Sequence, residues 1–204
     1  MKKYFSIFIL MIAVTAFAFA GDGKGKMELG DKAALTNIKM TDISGERLSL
    51  AEASKENGLL VLFSCNTCPI VLQWEDRYPE IKKWADKNKV GMIVLNSNHL
   101  QRNGVDSYEA MKKHAADKGY NFSYVVDDES LIANAFGGQT TPHAFLFDSS
   151  LELVYKGAID DNYQNASQVK NAYVKDAISS LAAGKQIAIT ETKPVGCSIK
   201  RKLN

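Results

Sequence analysis

The sequence predicts an α/β domain built on a mixed β-sheet. Short runs rich in β-forming residues, Leu59 to Phe63, Val90 to Asn96 and Phe122 to Val126, alternate with amphipathic helical patterns. Two later runs, Ala144 to Phe147 and Leu151 to Ile159, flank the tight turn Asp148-Ser149-Ser150 and read as a closing hairpin, which makes the sheet mixed. The chain has 204 residues, 46% hydrophobic and 24% charged, enough for one domain with its own core.

Taken in order, the N-terminus reads as an export signal. Lys2 and Lys3 precede an apolar stretch from Tyr4 to Phe19, and Ala18-Phe19-Ala20 offers small residues for cleavage after Ala20. The protein is therefore expected to be exported, periplasmic or secreted, with no stable membrane association once residues 1–20 are removed. Residues 21–34 read as a flexible linker, and 35–204 as the folded domain with a C-terminal tail from 185. Leu35 to Leu50 reads as a β-hairpin around Ser44-Gly45, followed by a helical turn through Asn57. Ile70, Val71, Trp74, Tyr78, Ile81 and Trp84 form one apolar helix face to about Lys89, with Pro79 expected to kink or split it. Helices are expected at Ser107 to Lys118, Asp128 to Phe136 and Gln168 to Ala183, closed by Gly119, Gly137-Gly138 and Gly184. One β-like run, Ile187 to Thr190, lies in the tail.

The chemistry centres on Cys65-Asn66-Thr67-Cys68-Pro69, at the junction of the Leu59–Phe63 strand and the helix after it. Amide groups and the dipole of a helix start stabilise a thiolate, the nucleophile of disulfide exchange. Pro69 suits a first helical turn, where its missing N–H costs nothing. Cys65 is thus placed as the exposed attacking thiol and Cys68 as the partly buried resolving one. Cys65, Cys68 and Cys197 are the three cysteines of the chain, too few for a disulfide-stapled scaffold. A zinc site would need two further ligands. No bound cofactor is needed, because the cysteines carry the electrons. Net charge is +2; without Lys2 and Lys3 the chain carries 23 basic and 23 acidic residues, which lacks the footprint of a nucleic-acid binder.

The stretches FSCNTCPIV, IVLNSN, SYEAMKKHA, YVVDD, TPHAFLFD, LVYKGAIDD and GCSIK, from about Leu35 to Lys200, resemble the peroxiredoxin-like (redoxin) branch of the alkyl hydroperoxide reductase/thiol-specific antioxidant (AhpC/TSA) superfamily. The resemblance implies a thioredoxin-like three-layer fold. It implies Cys65 as nucleophile and Cys68 as resolving thiol. It also matches Pro142 to a cis-proline facing the CxxC, with the Thr141 backbone presented to an extended substrate. The chain departs from thioredoxin at Ser64, where a Trp stands, and at Leu59, where a buried Asp stands. It also lacks the peroxiredoxin PxxxTxxC pattern, so the Thr that polarises a peroxide is absent.

The expected function is an exported thiol–disulfide oxidoreductase exchanging electrons with protein or small-molecule thiols and disulfides, and with an electron donor or acceptor that the sequence does not identify. The alternatives are a thiol peroxidase using Cys65, and a copper-binding chaperone using the two thiols with His143. His143 and Cys197 are candidate modulators, His143 as an imidazolium beside the thiolate. The expected bridge is Cys65–Cys68, with Cys197 reduced in a docked tail. His99 and His114 read as solvated, Glu75 and Asp76 as surface carboxylates, Trp74 and Trp84 as core or groove residues. Asp127-Asp128 and Asp160-Asp161 read as turn and cap residues.

Overall fold

The computed structural model describes residues 25–202, so the signal expected in residues 1–20 lies outside the described residues. The centre of the sheet is β3 (Leu59–Ser64), with β4 (Gly91–Asn96) parallel to it on one side and β7 (His143–Phe147) antiparallel on the other. Beyond β4 lie β5 (Ser123–Val126), β1 (Met40–Asp42) and β2 (Arg47–Leu48); beyond β7 lies β8 (Leu153–Gly157). The order is β2-β1-β5-β4-β3-β7-β8. The expected hairpin is present, with Thr41 opposite Arg47.

The period of two in the buried strands divides the core. Leu60, Leu62, Met92, Val94, Ala144 and Leu146 face one way, and Val61, Phe63, Ile93, Leu95, Phe145 and Phe147 the other. Helices α2 (Pro69–Trp74), α3 (Tyr78–Lys87), α4 (Tyr108–Asp117) and α6 (Tyr173–Ala182) cover the first face. The second is covered by α1 (Leu50–Ala53), α5 (Leu131–Phe136), Met27 from the N-terminal segment and Ile199 from the tail. This is a three-layer thioredoxin-like α/β fold.

The helix expected to run to Lys89 is split by a 3-10 turn at Glu75–Arg77. The break lies upstream of Pro79, because Pro79 has no N–H to give the carbonyl of Glu75 and its ring crowds that group. Residues 25–34 correct the linker expectation. Met27 is buried, its N–H donates to Phe136 O, and Gly30 and Ala33 donate to Leu153 O and Leu151 O beside β8. The last helix begins at Tyr173 rather than Gln168.

Candidate functional site

The site is assembled where the end of β3 meets the loop before β7. Every residue of β3 is buried, which anchors Cys65 at the end of the central strand. Cys68 follows as the N-cap residue of α2, with Pro69 in the first turn. Thr141, fully buried, faces both cysteines: its hydroxyl lies 3.1 Å from Cys65 Sγ and its carbonyl oxygen 3.3 Å from Cys68 Sγ. The Thr141–Pro142 peptide bond is cis.

The tail completes the site. Two short strands, β6 (Thr140–Thr141) and β9 (Cys197–Ser198), pair antiparallel with Thr141 opposite Cys197. Cys197 is disulfide-bonded to Cys68, with 6.0 Å between their Cα atoms, and Cys65 is the free thiol. This corrects the expected Cys65–Cys68 bridge. The expectation weighed closeness in the chain, whereas the β6–β9 pairing sets Cys197 directly over Cys68. Gly196 makes the approach feasible: a Cβ there would stand 2.2 Å from Thr141 O.

Cys65 is not the exposed thiol expected. It is 2% exposed and Cys68 4%, and both pack with Val71, Ile70 and Cys197. Burial pushes the Cys65 thiol above its ordinary pKa. The Thr141 hydroxyl and the backbone N–H groups of Cys68 and Thr67 favour the thiolate, but desolvation outweighs them, and buried Asp106 adds to it. His143 is no imidazolium neighbour. Burial, with Lys156 nearby, lowers its pKa to about 3, and its Nδ1 accepts the Gln139 N–H at 3.2 Å. The described residues contain no group of three or more His, Cys, Asp or Glu able to hold a metal ion, so the copper-chaperone alternative gains no support from them.

Other side chains also differ from expectation. Glu75 is buried rather than on the surface, paired with His114 at 2.7 Å and Lys118 at 2.5 Å. Burial works against its carboxylate, but His114, Lys118 and Tyr120 outweigh it and hold Glu75 below its ordinary pKa. His114 is therefore an interior partner, because α4 packs its face over the α2–α3 break. Asp76 is exposed as expected. Trp74 is core, its indole N–H donating to Asp160 at 3.0 Å; the half-buried Trp84 donates to Ser179 on α6. Asp127 caps α5 through the N–H groups of Ile132 and Ala133, and Asp161 holds the N–H groups of Lys170 and Asn171. A cavity of about 390 Å³ lies behind the site, lined by His143, Phe145, Lys156 and tail residues Thr192 to Pro194; none of the cysteines lines it.

Sequence reasoning missed a buried polar cluster beside Cys65. Asp106 is fully buried and accepts from Asn66 N–H at 3.0 Å, Asn96 Nδ2 at 2.8 Å and Asn98 Nδ2 at 2.8 Å. The available signal was Asn96-Ser97-Asn98, three polar residues in succession at the mouth of an apolar strand.

No curated protein matches the chain. Two crystal structures share 28% identity with it at a TM-score of 0.79: a hypothetical protein from Sinorhizobium meliloti 1021, covering 89% of this chain and 98% of that one, and an uncharacterized conserved protein from Geobacillus kaustophilus, covering 89% and 96%. Peroxidoxin BcpB from Mycobacterium tuberculosis is 14% identical, with a TM-score of 0.60 and coverage of 77% and 97%, a likeness of fold alone. Residues 29–156 match the AhpC/TSA family model, which spans β1 to β8 and includes Cys65, Cys68 and Pro142, so the chain belongs to the AhpC/TSA family.

Proposed function

We propose that the protein is an exported thiol–disulfide oxidoreductase whose exchange site comprises Cys65, Cys68 and Cys197. The observation that carries the reading is the convergence of all three cysteines on Thr141, with a free thiol beside a disulfide. Export rests on the basic and apolar N-terminal pattern alone. In the exchange step the Cys65 thiolate attacks Cys68 Sγ. A Cys65–Cys68 bond forms, the Cys68–Cys197 bond breaks, and Cys197 leaves as a thiolate that takes up the proton Cys65 lost. The Cys65–Cys68 disulfide then oxidises a substrate dithiol; run in reverse, the same steps reduce a substrate disulfide.

The test is turnover of a cysteine-containing peptide, with oxidised glutathione as acceptor in one direction and reduced glutathione as donor in the other. Catalysed exchange in either direction, lost in Cys65→Ser, is expected. Because burial raises the Cys65 pKa, the rate should climb with pH beyond the range where an ordinary thiol has already ionised. Exchange at the background rate in both directions overturns the reading.

The bridge itself favours a second reading, a thiol peroxidase. There a Cys68 thiolate would take one oxygen from a hydroperoxide, releasing the alcohol, and Cys197 would resolve the sulfenic acid with loss of water. Rapid consumption of micromolar peroxide, with Cys68–Cys197 as the product, would favour it over exchange.

A further inference from the structure

The two halves of the Cys68–Cys197 bridge are anchored in the same buried network. On one side, Asp106 Oδ1 accepts the backbone N–H of Asn66, inside the CxxC loop. On the other, Asp106 Oδ2 accepts Asn98 Nδ2 at 2.8 Å, and Asn98 Oδ1 accepts the backbone N–H of Lys200, three residues past Cys197, at 2.8 Å. Leu100 N–H donates to Lys200 O at 2.9 Å and completes the grip on the tail. Asp106 is fully buried, Asn98 is 4% exposed and Asn66 7%.

The chemistry of a carboxylate gives this chain of bonds a direction. Asp106 offers acceptors on both oxygens and meets three N–H donors, from Asn66, Asn96 and Asn98. Asn98 must therefore turn its NH₂ toward Asp106, which leaves its carbonyl oxygen facing the tail, where an N–H needs an acceptor. We propose that Asp106 and Asn98 are positioning residues that hold the Cys197 strand in register over Cys68. Asp106 acts through Asn98 by fixing which end of that amide the tail meets. Neither residue touches the sulfurs. The assignment rests on the three-cysteine reading above, but its test follows a disulfide equilibrium without substrate, so failed turnover and failed positioning are separate results.

The full chain is equilibrated in mixtures of reduced and oxidised dithiothreitol, alkylated and digested, and the Cys68–Cys197 peptide is quantified by mass spectrometry. Each bridge reduced yields two protein thiols and one cyclic dithiothreitol disulfide. Asp106→Asn keeps size and the acceptor for Asn66, but lets the amides of 106 and 98 pair the wrong way, with a donor facing Lys200 N–H. The bridge should become about tenfold easier to reduce, as expected for one buried hydrogen bond turned into a donor–donor contact. Exchange of the Lys200 amide proton should quicken alongside. The swap Asp106→Asn with Asn98→Asp pairs a donor with an acceptor in every bond again, the one between the two side chains now running from position 106 to position 98, and should recover both readouts to within about threefold. A single variant that matches the parent in both readouts, or a swap no better than the single variant, overturns the assignment. If the interior variants fail to fold, Lys200→Pro removes the same N–H from an exposed position; it should weaken the bridge similarly, and an unchanged bridge there overturns the assignment equally.

Discussion

The CxxC loop and the C-terminal tail bring their cysteines to one point by opposite means. Cys65 and Cys68 are placed locally, by the end of a fully buried strand, an N-cap and Pro69 in the first turn of α2. Cys197 sits in a two-residue strand with little structure of its own. It is placed by long-range bonds: Thr192 Oγ accepting the Ala158 N–H, Ile199 N–H donating to Gln139 O, and Lys200 N–H donating to Asn98. Ring closure favours the near partner, since the entropy of closing a loop grows with its length. Cys68 nevertheless pairs with the partner 129 residues away. Once the tail has docked, its ordering cost is already met by contacts such as the buried Ile199, and closeness in the chain no longer decides the pairing.

The largest effect should come from removing the sulfur that both regions share. Cys68→Ser removes the sulfur bonded to Cys197 and the one Cys65 would attack. Exchange should fall on the order of 100-fold or more, with stability lower by about 2–4 kcal/mol than in the oxidised parent. Turnover and urea midpoints measure both; a variant retaining parental turnover would show that the loop is not the centre of the chemistry.

A smaller effect should follow from disturbing the tail alone. Gly196→Ala places a Cβ against the Thr141 carbonyl and carbonyl carbon, at 2.2 and 2.7 Å, where rigid backbone cannot yield. Overpacking of this kind costs about 1–3 kcal/mol, so the Cys68–Cys197 bridge should become roughly tenfold easier to reduce and Cys65–Cys68 should gain population. Peptide mapping of the oxidised variant reports the partition. An unchanged partition would mean that the tail does not depend on close approach at Thr141.

The smallest effect at neutral pH concerns His143, between the two regions. Its folded pKa of about 3 lies below the 6.5 of an unfolded chain. The folded state therefore resists a proton that the unfolded state accepts. Stability is therefore fully present above about pH 6.5 and declines as pH falls toward 3, by at most about 1.4 kcal/mol per pH unit from this group. His143→Gln should flatten that slope in denaturant titrations at several pH values. An equally steep slope would place the proton uptake elsewhere.

Much of the fold was legible because its signals are local. The continuous apolar runs at Leu59–Ser64 and Gly91–Asn96, the helical pattern from Ser107 and the Pro79 break each depend on a few neighbouring residues. The CxxC loop was legible for the same reason. The roles of Glu75, His114, Asn98 and Asp106 were not, because no periodicity marks a polar residue that is buried by its partners. Glu75 is interior because His114 and Lys118 reach it from another helix.

From its residues alone the chain showed the alternating elements, the mixed sheet and the position of two cysteines at a strand–helix junction. Each is set by residue type within a turn or a strand of the next. The tertiary structure alone decided that Cys65 is buried, that His143 stays neutral and that Cys68 bonds to Cys197. Those outcomes depend on what other segments bring against a group, Thr141 reaching Cys65 across 76 residues and Cys197 reaching Cys68 across 129, and the physical reason is that burial and bonding are properties of what packs against a group. For Cys68 that neighbour is the tail strand, seated opposite Thr141.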